Sequence, residues 1–244
     1  MNNFYSVIIG RELLNGRRRD LHFDFVNHEL LKRGWEQKAS FVINDNPKFI
    51  EDVLNLIKTD KDSVLFCFGG IGATPDDYTR AVAAKVFTNG EMELHPKGLE
   101  ILYEKFTKDI DKRRLQLVNF PKNSSLLTNI INQVPGFYLE NRFFFMPGFP
   151  QMSHPMVIEA LEKFYPQNIK KHRKSIVIKT SEGSFLELME EIPKDIDFSS
   201  LPCIDNESKE VEISFASTDE KIVLFWIKKF EDESLKRGFE YKII

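Results

Sequence analysis

Residues 64–87 read VLFCFGGIGATPDDYTRAVAAKVF, and the fold turns on this stretch. Val64 to Phe68 is a short apolar run with the length of a buried strand. It empties into Gly69, Gly70 and Gly72, where a backbone without Cβ atoms takes positive φ and lets a ligand approach closely. Thr74-Pro75-Asp76-Asp77 then spells a helix start. Thr74 serves as N-cap, Pro75 fits the first helical position, and Asp77 stands three residues on in the capping-box place. The expected helix carries Tyr78, Ala81, Val82 and Val86 on one face. Strand, glycine turn and helix N-terminus bring free N–H groups and a positive dipole end to one spot, which suits a phosphate. Asp76 and Asp77 admit two readings there: first-turn acids favoured by the helix dipole, or oxygen ligands of a divalent ion such as Mg²⁺ that links them to the phosphate.

Working outward, the pattern repeats. Phe4–Ile9 predicts a first strand, followed by a loop over Gly10–Gly16 and a helix over 20–33 with Phe23, Val26, Leu30 and Leu31 at helical spacing, ended by Gly34. Ala39–Ile43 predicts a second strand running into Asp45 and Pro47, and the next helix buries Ile50, Val53, Leu54 and Ile57. Strand–helix repetition of this kind predicts an α/β fold with a mostly parallel sheet and helices on both faces, three layers in all. Ligands in such folds sit beyond the carboxyl ends of the strands. Glu12, Asp45 and Asp77 are therefore expected to converge.

Further along, Pro96–Ile110 reads as an amphipathic helix, and Lys112-Arg113-Arg114 as a solvated face rather than a phosphate contact. Two Pro-Gly turns, at Pro135-Gly136 and Pro147-Gly148, flank the strand Phe143–Met146, and the second leads into a helix with Met152, Met156, Val157 and Leu161. The basic segment Lys170–Lys174 reads as a linker, so the expected domains are 1–168 and 172–244. The second is a small α+β module: strands at Ser175–Ile178, Val211–Ala216 and Glu240–Ile244, helices at Phe185–Ile192 and Ile222–Phe230.

Composition excludes several classes. A chain of 244 residues, 42% hydrophobic and 29% charged, suits a globular protein with ample core. A net charge of −3 argues against a general nucleic-acid binder. No apolar run reaches the roughly 20 residues of a membrane span, and the N-terminus lacks a signal-peptide pattern. Cys67 and Cys203 stand far apart in apolar surroundings, as buried thiols of a reducing compartment do. The expected location is the cytoplasm, with no membrane and no nucleic-acid partner. His95 and His154, each before a proline, read as turn or cap residues, and His22 as a residue on a helix surface within reach of the first loop.

The run from Gly69 to Phe87 resembles the signature of the molybdopterin-binding (MoaB/Mog-like) domain, in the version carried by the competence/damage-inducible protein A (CinA) family. Gly10, Glu12, Leu13, Leu14 and Gly16 are similar to that family's first loop, with Arg11 in place of an acidic residue. Asp45 with Pro47, Asn129 with Pro135-Gly136-Phe137, and Met146 to Pro150 are similar to its later turns. Asn132 replaces a usual glycine, and the glutamate usual just after Pro150 is missing: the chain is a residue shorter there and has Gln151 before Met152. The tail is similar in order and size to the KH-like module of that family, whose final amidase domain would need more residues than follow here. The resemblance implies two chemistries: metal-dependent hydrolysis of ADP-ribose, and binding of molybdopterin. On the first, Gly69, Gly70 and Gly72 hold phosphate, with Thr74, Asp76, Asn129, Pro147 and Gly148 lining the substrate. Asp77, Asp76 and Asp45 hold a divalent metal, and Glu12 joins Asp77 and Asp45 in catalysis. A non-catalytic nucleotide-binding module is a third reading. The expected ligand is a nucleotide or pterin, and relatives of the fold self-associate, which implies a homodimer or trimer.

Overall fold

The computed structural model describes residues 2–106, 110–205 and 208–244. The chain divides into two compact units, Met1–Asn168 and Ile169–Ile244.

In the first unit, β1 (Asn3–Ile9) leads through a one-turn α1 (Arg11–Leu14) and α2 (His22–Lys32) to β2 (Gln37–Ile43). Then come α3 (Pro47–Thr59), β3 (Ser63–Phe68), α4 (Thr79–Phe87), β4 (Met92–Leu94), α5 (Pro96–Phe106) and α6 (Lys112–Gln116). Strands β5 (Asn119–Pro121), β6 (Ser125–Leu127), β7 (Gly136–Leu139) and β8 (Phe143–Met146) precede α7 (Pro150–Phe164). The main sheet has the order β2-β1-β3-β8-β7-β6. Its pairings β2–β1, β1–β3 and β3–β8 are parallel, while β8–β7 and β7–β6 are antiparallel.

Both faces of this sheet are buried, so its central strands read as continuous apolar runs. Alternate residues part to opposite layers. Val7, Ile9, Leu65, Cys67, Phe143 and Phe145 pack under α3 and α4. Ile8, Phe66, Phe68, Phe144 and Met146 pack under α2 and α7. The three-layer, mostly parallel architecture expected from the sequence is the one observed. Burial drives the Cys67 thiol far up, which keeps it protonated. The side chain of Cys203 lies outside the described residues.

Several expectations need correction. The Gly10–Gly16 loop contains the short α1. Phe23 and Leu31 of α2 face outward, whereas His22, Val26, Glu29 and Leu30 are buried. Helix α5 ends at Phe106; its expected continuation over 107–109 lies outside the described residues, and Ile110 is not helical. Lys112–Arg114 open the exposed α6, with Arg114 over the Phe106 ring.

The second unit comprises β9 (His172–Ile178), a 3₁₀ turn at Glu182–Phe185, α8 (Leu186–Glu190), β10 (Asp197–Asp205), β11 (Ser208–Ser217), α9 (Glu220–Arg237) and β12 (Tyr241–Ile243). Its antiparallel sheet has the order β10-β11-β9-β12. Val211, Ile213 and Phe215 alternate toward Val223, Trp226, Ile227 and Phe230 of α9. The expected linker is therefore partly strand, since β9 begins at His172, and the expected helix over 185–192 is a 3₁₀ turn followed by a short α8.

Candidate functional site

At the carboxyl ends of β1, β2, β3 and β8 the connecting loops enclose a cleft of about 630 Å³. Glu12, Asp45, Gly69, Gly70, Gly72, Thr74, Asp76, Asp77, Asn129, Pro147 and Gly148 all line it. The sequence-predicted residues are thus gathered in one place, as a parallel sheet requires of the loops on its carboxyl edge.

Hydrogen bonds fix how the loops meet. The N–H of Gly10 donates to Ile43 O, and the N–H of Arg11 donates to Asp45 Oδ2 at 3.2 Å, which joins the loops after β1 and β2. Glu12 folds back so that a Cβ on Gly10 would stand 3.0 Å from both carboxylate oxygens. The N–H of Gly69 donates to Met146 O, and Gly148 lies against Gly69. Gly69 and Gly70 have φ of +99° and +68°; a Cβ on Gly70 would come within 2.2 Å of Thr79 Oγ1. These two positions need glycine for conformation and for space.

The turn itself differs from the expected helix start. Helix α4 begins at Thr79, with Tyr78 as its first flanking residue, and Thr74–Asp77 form a separate turn. Thr79 decides this: it is fully buried, its N–H donates to Gly70 O and its hydroxyl to Gly69 O at 2.9 Å. Buried Arg80 donates from Nη1 to Ile71 O, clamping the turn from beneath, and burial lowers its pKa while Asp77 opposes that shift. The buried face of α4 is Thr79, Arg80, Val82, Ala83, Ala84 and Val86, whereas Tyr78 and Ala81 face solvent. Among the described residues no protein acceptor takes the N–H groups of Gly70, Ile71, Gly72 or Ala73. The N–H groups left without a protein acceptor belong to this loop, a backbone concavity, rather than to the end of α4.

Asp76 and Asp77 crowd one hydroxyl. Thr74 Oγ1 lies 2.5 Å from Asp76 Oδ1 and 2.6 Å from Asp77 Oδ2, and the N–H of Thr74 also donates to Asp77 Oδ2 at 2.7 Å. A hydroxyl carries one proton, so it satisfies one carboxylate at a time. Thr74 and a backbone N–H hold Asp76 below the usual carboxylate range, and the charge of Arg11 adds to this. A Cβ on Gly72 would meet Asp77 Oδ2 at 2.5 Å, so glycine there makes room for the carboxylate.

Asn129 is buried, and its amide is fully used: Nδ2 donates to Asn132 Oδ1 and Val134 O, while Oδ1 accepts from the N–H groups of Ile131 and Asn132. It shapes the wall through the 129–134 loop, which Lys105 Nζ braces at Asn132 O. Asn132 Oδ1 also accepts from Val134 N–H, so the residue in the glycine's place is a structural part of that loop.

Sequence reasoning missed the cations of the cleft, Arg18 and Lys105, and its apolar wall, Phe149 and Met152. The guanidinium of Arg18 lies 5.8 Å from the Phe149 ring centroid. The run Arg17-Arg18-Arg19, directly after the first loop, was the available signal. A side chamber of about 420 Å³ adjoins the cleft and shares Ile9, Glu12, Arg18, Gly148 and Phe149 with it; Arg19, Asp20, His22 and Gln151 line the remainder.

Two histidines depart from expectation. His22 is 4% exposed rather than on a helix surface; its ring stacks on Phe68 at 4.2 Å, and Nε2 lies 3.3 Å from Gly148 O. His154 is inside α7 rather than in a turn or cap, stacked on Phe25 at 3.7 Å and edge-on to His22 at 5.3 Å. Burial lowers the pKa of both, that of His154 to about 4. His95 does cap α5, its Nδ1 accepting from Gly98 N–H.

The family profile described as "Probable molybdopterin binding domain" matches residues 6–167. The chain belongs to the molybdopterin-binding domain family. A "Putative competence-damage inducible protein" of Clostridium kluyveri is 29% identical over 245 residues, covering 94% of this chain and 58% of the relative. A protein of the same description from Alkaliphilus metalliredigens is 30% identical over 196 residues, covering 76% of this chain and 47% of the relative. The chain thus spans about half the length of these curated relatives. The crystal structure of CinA from Thermoplasma acidophilum shares the fold, with a TM-score of 0.59 at 22% identity over 66% of this chain and 98% of that one. Among the described residues no helix is long and apolar enough to cross a membrane, and no three His, Cys, Asp or Glu side chains are grouped to hold a metal.

Proposed function

We propose that the cleft binds a nucleotide pyrophosphate, of which ADP-ribose is the leading candidate, and hydrolyses it with a divalent ion. One observation carries this reading: Asp76 and Asp77 compete for the single proton of Thr74. Two carboxylate oxygens on one hydroxyl leave a local excess of negative charge, and a cation relieves it. The donor set fits Mg²⁺, which is held by one or two carboxylates and completes its octahedron with water and substrate phosphates. A cluster of three protein ligands is not needed for that. When bound, such an ion supplies charge neutralisation at the phosphates and lowers the pKa of the attacking water.

The chain's own groups do the rest. The N–H groups of Gly70 to Ala73, without protein acceptors among the described residues, are available to phosphate oxygens, and Arg18 in the same cleft balances their charge. Asp76 and Asp77 hold the ion, with Asp45 on the neighbouring loop within the same cleft. Glu12 is the base: it accepts a proton from water as the new P–O bond forms and the bridging P–O bond breaks. The products from ADP-ribose are AMP and ribose 5-phosphate.

The test is incubation with ADP-ribose and a panel of divalent metals. Expected is product only with metal, and loss of product in Asp77→Asn. A second reading rests on the family match: a pterin occupying the same cleft. Molybdopterin binding without ADP-ribose turnover would establish it. Nucleotide binding without turnover under any metal would instead make the chain a non-catalytic module, with Arg11 as the reason.

A further inference from the structure

We propose that His22 is a positioning residue for the cleft, holding the Pro147–Phe149 wall through the Gly148 carbonyl. This rests on the reading of that cleft as the ligand site. A carbonyl oxygen only accepts, so the 3.3 Å contact from Nε2 requires the proton on Nε2. Nδ1 then carries the lone pair, and no partner meets it among the described residues. The ring is held on two sides, and its backbone is held as well. Phe68, the last residue of β3, stacks on one face; His154 of α7 stands edge-on; and the carboxylate of Asp20 accepts the N–H groups of His22 and Phe23 at the start of α2.

This places one side chain between the two strands that frame the cleft. Phe68 immediately precedes the glycine turn, and Gly148 stands two residues beyond the end of β8, where an added Cβ would lie 3.4 Å from Gly69 Cα. The Gly148 carbonyl is the point at which the chain turns from β8 toward α7, whose first turn is closed by Met152 and Ser153 N–H donating to Phe149 O. Releasing that carbonyl frees the wall to swing from the turn that holds phosphate. The groups facing His22 are few: Asp20 on its own element, His154 from α7, and Glu12, Arg18 and Arg19 around the side chamber. Asp20 is occupied by backbone donors, and His154 is half-buried, its Nε2 atom meeting no partner among the described residues. A second proton on His22 would stand on Nδ1 with no acceptor, so acid weakens the arrangement instead of strengthening it.

The experiment compares His22→Phe, which keeps the stack on Phe68 but not the donor, with His22→Gln, whose side-chain amide reaches as far as Nε2. Hydrogen exchange at the amides of Gly69, Met152 and Ser153 is the primary readout, because it needs no ligand. Expected is faster exchange there in His22→Phe, at an unchanged rate in the strands of the second unit, and recovery in His22→Gln. ADP-ribose binding is expected to weaken about fivefold to tenfold in His22→Phe, as for one lost hydrogen bond, and to return in the glutamine variant. Unchanged exchange in His22→Phe overturns the proposal. Should that variant not fold, the imidazole nitrogen shifts of the unaltered protein decide: an unprotonated Nε2 at pH 7 overturns it. Wild-type protein that neither binds nor cleaves ADP-ribose while the exchange pattern holds would defeat the proposed function and leave the role of His22 intact.

Discussion

At the amino ends of β1 and β2, Asp60 accepts hydrogen bonds from Asn3 Nδ2, Tyr5 Oη and Lys38 Nζ, at 2.8, 2.7 and 2.8 Å. At the carboxyl ends of the same sheet, Asp76 and Asp77 share one hydroxyl proton. With the N–H of Asp62 on its other oxygen, the first carboxylate is filled with donors and ties separate segments together. The second pair shares one hydroxyl between two carboxylates, each with one backbone N–H besides, in a cleft where the N–H groups of Gly70 to Ala73 meet no protein acceptor among the described residues. A buried or half-buried polar group that is fully satisfied stabilises; one left short is poised for something else. On the proposed function, the difference separates a structural end from a working end without reference to any relative.

The sharpest way to break this comparison is an isosteric change. Asp77→Asn removes a charge at the working end while its amide oxygen still accepts from Thr74 N–H. It is expected to lower metal-dependent ADP-ribose turnover by about 100-fold or more, since charge stabilisation at a transition state is worth that much. Thermal stability is expected to hold or rise, because one of two crowded anions is gone. A large fall in melting temperature with turnover intact would reverse the assignment of the two ends.

Next in size is Gly70→Ala. The added Cβ meets Thr79 Oγ1 at 2.2 Å with φ at +68°. Strain in the left-handed region and displacement of buried Thr79 are expected to cost about 2–3 kcal/mol, readable by urea denaturation. Trp35, in the first unit, reports it by fluorescence in a Trp226→Phe background, whereas Trp226, in the second unit, is expected to report an unchanged transition in a Trp35→Phe background. Gly16→Ala, whose Cβ meets nothing within 4 Å, carries a similar φ and isolates the conformational part.

What the sequence made legible follows from the same physics. The strand Ser63–Phe68 and its glycine turn are encoded locally, by an apolar run and by residues that alone take the required φ. The cleft lining followed once parallel order was inferred, because topology brings carboxyl-end loops together whatever their details. Thr74–Asp77 was ambiguous: Thr-Pro-Asp-Asp serves equally as a helix cap or as a free turn, and the choice fell to burial of Thr79 and Arg80, which neighbours in space impose. His22 was illegible because its partner Gly148 lies 126 residues away. Strand β10 was missed since Ser-Ser-Leu-Pro reads as loop; it is an edge strand, where a proline is tolerated.

A smaller effect tests the structural end. Asp60→Asn keeps acceptors for Asn3 and Tyr5 but loses the charge that Lys38 pairs with. The expected cost is about 1–2 kcal/mol at pH 7, the range for hydrogen bonds to a charged group, with ADP-ribose turnover unchanged. Those donors hold the Asp60 carboxyl well below its ordinary range. A depressed acid contributes stability that is fully present above its unfolded pKa, near 3.8, and is lost as pH falls below it. Asp60→Asn therefore differs from the unaltered protein at neutral pH and converges with it only in strong acid.

The working end fails at a different pH, and there the comparison is most exposed. Burial depresses His22, and depresses His154 to about 4, so below their ordinary value of 6.5 the unfolded chain binds protons that the folded chain does not. By linkage, stability contributed by the neutral rings is complete above 6.5 and declines as pH falls toward 4. With the partial exposure of His154 allowed for, the loss is on the order of 1–2 kcal/mol. His154→Phe retains an aromatic ring against Phe25 and carries no proton, so it is expected to flatten that decline as reported by Trp35, and to leave the lower limb set by Asp60 in place. Asp60→Asn is expected to do the converse. Should both variants alter the same limb, the two ends of the sheet titrate as one unit, and the contrast between a saturated end and a poised one would be a contrast of geometry without separate energetics.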